Sequence, residues 1–210
     1  MYPISIDIKN KKCVVVGGGK VAYRKASSLC LYGARVKVIS PKISPEIRVL
    51  AQDHSIMLNE KDCAESDIQD AYLVFACTNS SEVNQQVSRD ALRYNILINC
   101  TEDSSFSSFI SPSSFSRGDL VVSVSTNGKY PMLAKQMIEE LKSGYGEDYA
   151  FIVDELSNYR QKVLECVKVE DQKLLLKQAI TKETIQIALE QGITAYRNHL
   201  EKTIERYFNE

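Results

Sequence analysis

Cys13-Val14-Val15-Val16 is an unbroken apolar run, the pattern of a strand buried on both faces. The period then changes: Val21, Ala22, Ala26 and Leu29 recur at helical spacing over residues 20–32, and Gly33 marks the stop. Val36-Lys37-Val38-Ile39 predicts a second strand, broken at Ser40-Pro41. A helix over Glu46–Gln52, a strand at Ile56-Met57-Leu58 and the apolar run Tyr72–Ala76 continue the alternation. Ser80 or Ser81 caps a helix predicted to reach about Arg93, and Ile96-Leu97-Ile98 makes a fifth strand. Strand and helix alternating at this pitch predict an α/β fold, a doubly wound Rossmann-like parallel sheet over residues 1–112.

Beyond that point the rhythm differs. Asp119–Ser125 alternates, with Leu120, Val122 and Val124 on one face and Val121, Ser123 and Ser125 on the other. The turn Thr126-Asn127-Gly128-Lys129 leads through Pro131 into a helical run over Met132–Lys142. From Tyr149 the chain reads as helix: Tyr149, Ile152, Val153, Leu156, Tyr159, Val163 and Val167 keep a 3.6-residue period, and Thr184–Phe208 is a second amphipathic stretch. Gly144-Tyr145-Gly146 is the expected boundary, which divides the rest of the chain into residues 113–145 and a C-terminal helical domain, 146–210.

Composition narrows the function classes. The 210 residues are 44% hydrophobic and 25% charged, with a net charge of −1, so no long-range field favours nucleic acid or an anionic membrane. No apolar stretch approaches the roughly 20 residues of a membrane span. The opening MYPISIDIKNKK lacks the basic-then-apolar order of a signal peptide. Six cysteines without a C-x-x-C pair suit reduced thiols in a cytoplasmic protein.

Gly17-Gly18-Gly19-Lys20-Val21-Ala22 follows the first strand and opens the first helix, the context that gives G-x-G-x-x-G/A its meaning. Gly17 permits the tight turn, Gly19 lets backbone approach a pyrophosphate, and Ala22 allows close packing of helix on strand. The amides at the helix start face an anionic ligand. The acid that commonly ends the second strand and holds the adenosine ribose is replaced by Ser40, with Pro41-Lys42 after it. Lys42 tolerates a 2′-phosphate, so charge leaves NAD and NADP both open.

Several chemistries lack their residues. None of the eleven tyrosines has a lysine four positions on, and there is no H-E-x-x-H, G-x-S-x-G or cysteine metal motif. The two histidines, His54 and His199, read as surface residues. Proton chemistry therefore falls to carboxylates. In open α/β sheets ligands bind beyond the C-terminal ends of strands, where Thr78-Asn79 follows the fourth strand and Thr101-Glu102-Asp103 the fifth. The acids open a segment with eight serines between Ser104 and Ser116, which on composition alone is a linker.

The runs VVVGGGKVAYRKASSLCLYGARVKVISP, ACTNSSEVNQQVS, NCTEDSSFSSFISPSSFSRGDLVVSVSTNGKYP and LAKQMIEEL resemble the precorrin-2 dehydrogenase / sirohydrochlorin ferrochelatase family, also found as the N-terminal module of siroheme synthases. The likeness runs in order and spacing over about residues 1–145. It implies NAD-dependent oxidation of precorrin-2 to sirohydrochlorin, with Fe²⁺ insertion as a further activity of some members. It also implies a homodimer built largely by residues 113–145. Family cofactor contacts fall on Gly19, Lys20, Val21, Pro41, Lys42 and Thr78, extending the Gly17, Gly18 and Asn79 positions read above. The family's aspartate in an N-x-x-D context falls on Glu102, with Asp103 adjacent, so either carboxylate is a candidate base. Arg117, Lys129 and Lys135, with the Ser125-Thr126-Asn127-Gly128 turn, are candidates for binding the carboxylates of the tetrapyrrole. No resident metal site is expected. The chain has no counterpart of the methyltransferase half, so another protein is expected to supply precorrin-2. The rival reading is a non-catalytic Rossmann nucleotide sensor, which leaves the N-x-x-E element, Asn99–Glu102, and the S-x-x-G element, Ser125–Gly128, without a role.

Overall fold

The computed structural model describes residues 1–209. The chain divides into two compact units, Met1–Ser111 and Pro112–Glu210. The first runs β1 (Lys12–Val16), α1 (Lys20–Leu31), β2 (Arg35–Ile39), α2 (Pro45–Asp53), β3 (Met57–Asn59), β4 (Leu73–Ala76), α3 (Ser81–Arg93) and β5 (Leu97–Cys100). All five strands are parallel in the order β3-β2-β1-β4-β5. This is the predicted Rossmann-like sheet, with strand order reversing between β1 and β4. Strand residues alternate between two cores. Cys13, Val15, Val36, Val38 and Phe75 pack with Ala22, Ala26 and Leu29 of α1 and Ile47 of α2. Val14, Val16, Val74 and Ile98 pack with Val87 and Ala91 of α3 on the other face.

One ion cluster braces the β2–β3 side. The Asp67 carboxylate accepts from Lys37 Nζ at 2.9 Å, from Lys61 Nζ at 2.7 Å and from the Ala64 amide at 3.0 Å. Burial alone would push its pKa up, but the two ammonium donors and the amide outweigh it and hold the carboxyl well below the usual carboxylate range. A depressed carboxyl stabilises the fold fully above its unfolded pKa of about 4 and loses that contribution as pH falls through the folded value. Asp67→Asn is therefore expected to cost about 2–3 kcal/mol at neutral pH, because it leaves Lys37 half-compensated in a buried site. The difference from wild type in urea unfolding should shrink below about pH 4.

The Ser-rich segment is ordered against the sheet. β5 is an edge strand, and serine hydroxyls take the place of a sixth strand along it. Ser108 Oγ accepts from the Ile98 amide at 2.9 Å, and Ser107 Oγ accepts from the Cys100 amide at 2.8 Å. The Ser108 amide donates back to the Ile98 carbonyl at 2.9 Å, and Asn99 Nδ2 donates to the Phe109 carbonyl at 3.0 Å. Phe109 closes the seal edge-on against Phe75, 5.6 Å between ring centroids. An edge covered in this way no longer offers a free pairing surface.

The second unit runs β6 (Ser113–Arg117), β7 (Leu120–Val124), α4 (Pro131–Gly144), α5 (Asp148–Cys166), α6 (Val169–Gln178), α7 (Lys182–Gln191) and α8 (Ile193–Asn209). β6 and β7 form an antiparallel hairpin in which Phe115 faces Val122. The apolar pattern did not predict β6, because Phe115 is the one large apolar residue among serines. The Gly144–Gly146 stretch separates α4 from α5 but not two compact units: Arg117 Nε donates to the Tyr145 carbonyl at 3.2 Å, and its guanidinium pairs with Glu147 at 3.1 Å. The stretch Thr184–Phe208 is two helices, interrupted at Gly192, whose φ of +88° lies outside the helical region. Ile152, Tyr159 and Val163 of α5, Leu175 of α6, Ala188 of α7 and Tyr196 and Leu200 of α8 form this unit's core. Among the described residues no helix is long and apolar enough to cross a membrane, and all six cysteines are free thiols.

Candidate active site

The glycine loop crosses the C-terminal end of β1 at the reversal of strand order, where α/β sheets bind ligands. Its three glycines have different constraints. A Cβ on Gly17, whose φ is +133°, would lie 2.6 Å from the Cys77 carbonyl oxygen. A Cβ on Gly18 would lie 1.9 Å from the Lys42 carbonyl oxygen, because the Ser40–Ser44 loop folds onto the glycines, with the Ser44 amide donating to the Gly18 carbonyl at 2.9 Å. A Cβ on Gly19 would meet nothing within 4 Å. That open space sits at the N-cap of α1, next to the first-turn amides of Lys20 and Val21, and Lys20 and Val21 are exposed. An open cradle of backbone amides at a helix start fits a dinucleotide's pyrophosphate.

Two adjoining cavities flank the loop. One of about 430 Å³ is lined by Gly17–Gly19, Lys42, Ser44 and Cys77. The other, about 370 Å³, is lined by Val16, Ile39, Pro41, Asp62, Cys63 and Val83. Ser40, Thr78 and Asn79 line both. The structure thus brings together every cofactor position read from the sequence except Lys20 and Val21, which lie one and two residues beyond Gly19. Asp62 and Cys63 were missed, since they come from a loop between β3 and β4 with no motif of its own.

The two candidate acids face different partners. Glu102 Oε1 accepts from the Ser81 hydroxyl at 2.5 Å, and Oε2 accepts from Asn84 Nδ2 at 3.1 Å. Asp103 instead caps a short 3₁₀ turn over Ser104–Phe106, accepting from the Ser105 amide at 2.8 Å. The backbone amide and side chain of Ser105 hold the Asp103 carboxyl below its ordinary range. Asn84, fully buried in α3, also reaches the loop after β4: its Oδ1 accepts from the Thr78 amide at 3.0 Å, and its Nδ2 donates to the Thr78 carbonyl at 3.0 Å. Ser81 and Asn84 were not singled out as site residues from the sequence. The signal was there in the A-x-T-x-x-x-x-V-N element, an asparagine on the buried face of a helix six residues after Thr78.

The remaining candidates lie in the second unit. Asn127 and Gly128 turn with φ of +52° and +79°. Thr126 Oγ1 accepts from the Tyr130 amide at 3.0 Å, and Ser125 Oγ from the Asn127 amide at 3.1 Å, so both hydroxyls hold the turn. Lys129 and Lys135 are exposed. Arg117 is tied to Tyr145 and Glu147 and stacks on Phe115 at 5.1 Å. Among the described residues no group of three or more His, Cys, Asp or Glu side chains is placed to hold a metal.

A strand–glycine turn–helix at the sheet's switch point, with two joined cavities beside it, defines a dinucleotide-binding Rossmann protein. Residues 4–113 match the family described as "Putative NAD(P)-binding". The chain is 30% identical over 162 residues to precorrin-2 dehydrogenase of Bacillus subtilis, covering 77% of this chain and 99% of that protein. It is 36% identical over 163 residues to siroheme synthase of Ruthia magnifica, covering 78% of this chain and 34% of that protein. It therefore spans about a third of the length of such siroheme synthases. Among solved structures, "SirC, precorrin-2 dehydrogenase" superposes with a TM-score of 0.79 at 27% identity, covering 98% of this chain and 100% of that one. The chain belongs to the precorrin-2 dehydrogenase family.

Proposed function

We propose that the protein oxidises precorrin-2 to sirohydrochlorin with NAD⁺. The observation that carries this reading is a hydrogen-bonded carboxylate, Glu102, just beyond the C-terminal end of β5 in a Rossmann unit of this family. The bound nicotinamide supplies a hydride acceptor. The amides at the start of α1 hold the diphosphate, and Ser40, Pro41 and Lys42 border the adenosine end. Glu102 takes the proton that leaves the macrocycle. Its two oxygens each accept one hydrogen bond and keep a further lone pair for that proton. Lys129 and Lys135, with the Ser125–Gly128 turn, bind substrate carboxylates.

Insertion of Fe²⁺ into sirohydrochlorin is a second proposed activity. It requires pyrrole protons to leave, and the same Glu102 is the acceptor on hand, with Fe²⁺ as substrate rather than resident ion. The protein is further proposed to be a homodimer through residues 113–145. The exposed Val121, Tyr130, Met132, Leu133 and Met137 on β7, the following turn and α4 support this.

Anaerobic incubation with precorrin-2 and NAD⁺ is expected to produce NADH absorbance together with sirohydrochlorin; no NADH would refute the oxidation. Sirohydrochlorin with Fe²⁺ tests the insertion, and sedimentation at twice the 23.6 kDa chain mass tests the dimer.

A further inference from the structure

Asn84 is a side chain with no solvent contact and no unused hydrogen-bonding capacity. Its Oδ1 accepts from the Thr78 amide at 3.0 Å and the Thr78 hydroxyl at 2.8 Å. Its Nδ2 donates to the Thr78 carbonyl at 3.0 Å and to Glu102 Oε2 at 3.1 Å. Two acceptor sites and two donor hydrogens exhaust a carboxamide. The orientation is also determined, because a flipped amide would set its NH₂ against the Thr78 amide and its oxygen against a carbonyl and a carboxylate. Its backbone is pinned one turn on, where Ser88 Oγ donates to the Asn84 carbonyl at 2.8 Å. A buried amide with all four bonds made is a rigid joint, and the groups it joins come from different strands. Thr78 follows β4 and lines both cofactor cavities; Glu102 follows β5.

We propose that Asn84 is a positioning residue that locks the cofactor loop at Thr78 to the Glu102 carboxylate, so one side chain sets both the nucleotide site and the orientation of the base. The proposal rests on the reading of Glu102 as the proton acceptor. It also explains why Glu102 holds a defined position although it is exposed: Asn84 grips one oxygen from below while Ser81 holds the other. No apolar residue or carboxylate of the same size can make this joint. A carboxylate would face both the Thr78 carbonyl and Glu102 with acceptors alone.

The test is a double-mutant cycle of Asn84→Ala and Glu102→Gln, reading kcat from NADH and NAD⁺ affinity by calorimetry. Asn84→Ala is expected to weaken NAD⁺ about tenfold and to lower kcat about 10²-fold at saturating NAD⁺, the scale of a base displaced by about an ångström. In the Glu102→Gln background the affinity loss should persist, while the kcat loss falls below about threefold, since no base is left to misplace. An equal kcat loss in both backgrounds, or unchanged NAD⁺ affinity, would overturn the proposal. Full kcat in Glu102→Gln alone would instead overturn the reading of Glu102 as base.

If Asn84→Ala does not fold, Asn84→Asp keeps the size and serves in its place. Paired with Glu102→Gln, it exchanges donor and acceptor across the joint. Tm should then recover in part relative to Asn84→Asp alone, because only the Thr78 carbonyl still faces an acceptor, and no recovery would overturn the proposal.

Discussion

Glu102→Gln is expected to lower the rate of NADH formation from precorrin-2 by about 10²- to 10⁴-fold, the usual contribution of a positioned general base. Glutamine fills the same volume and still accepts from Ser81, but its NH₂ faces the Asn84 donor, so the substitution removes the proton-accepting oxygen together with one bond of the joint. The neighbouring substitution, Asp103→Ala, is expected to leave the rate near wild type. The two acids are adjacent in sequence, but their hydrogen bonds separate them. Asp103 is occupied by the Ser105 amide as the cap of a 3₁₀ turn, which keeps its carboxyl ionised and a poor base. Glu102 is directed by two side chains of α3 toward the end of the sheet where the cofactor loop lies. Steady-state kinetics of the two variants side by side decide between them; a large loss in Asp103→Ala with none in Glu102→Gln would reverse the assignment.

The glycine loop yields the second large effect, and here the three positions part company. Gly18→Ala places a methyl 1.9 Å from the Lys42 carbonyl oxygen, a backbone atom that cannot rotate away. The Ser40–Ser44 loop must lift from the glycines, at a cost of about 3 kcal/mol or more in stability. NAD⁺ affinity should fall at least 10²-fold, because Ser40 and Lys42 leave the cavity with that loop. Gly19→Ala is the informative contrast. Its methyl enters open space with φ of −98°, which alanine adopts freely, so Tm should stay within a degree or two of wild type. The methyl nevertheless occupies the gap through which the pyrophosphate reaches the α1 amides, and NAD⁺ should weaken by on the order of tenfold. Calorimetric titration and thermal melts on the same samples separate the two effects. Unchanged affinity in Gly19→Ala would remove the pyrophosphate from that gap.

Much of this site was legible in the sequence because its signals are local. Apolar-rich runs of three to five residues and a helical period of 3.6 report burial directly, so the five parallel strands were predicted to within one or two residues of their observed ends. The glycine loop was legible for the same reason, since a tight turn and a helix start each need particular residues at fixed offsets. Other readings went differently. β6 was hidden because a two-stranded ribbon with one buried phenylalanine leaves no apolar alternation to detect. The Thr184–Phe208 stretch kept its apolar stripe across Gly192, although the backbone there is not helical. The serines of residues 104–116 read on composition as a linker. Ser107 and Ser108 instead supply hydrogen bonds to the β5 edge, which composition cannot express.

By itself the sequence determined the class of sheet and the glycine loop that marks a dinucleotide-binding fold, and it offered Glu102 and Asp103 as the candidate acids. The glycine loop follows from residues within about ten positions of one another, and the sheet from local strand and helix patterns repeated along residues 1–112. Only the tertiary structure separates the two acids by their partners, Glu102 with Ser81 and Asn84, Asp103 with Ser105. Ser81 and Asn84 lie 21 and 18 residues before Glu102, and they meet it because β4 and β5 pair in a single register, Ala76 opposite Cys100. That register is a long-range property of the packed sheet. It brings the residues after the two strands side by side and so puts Thr78, Asn84 and Glu102 into one hydrogen-bonded unit.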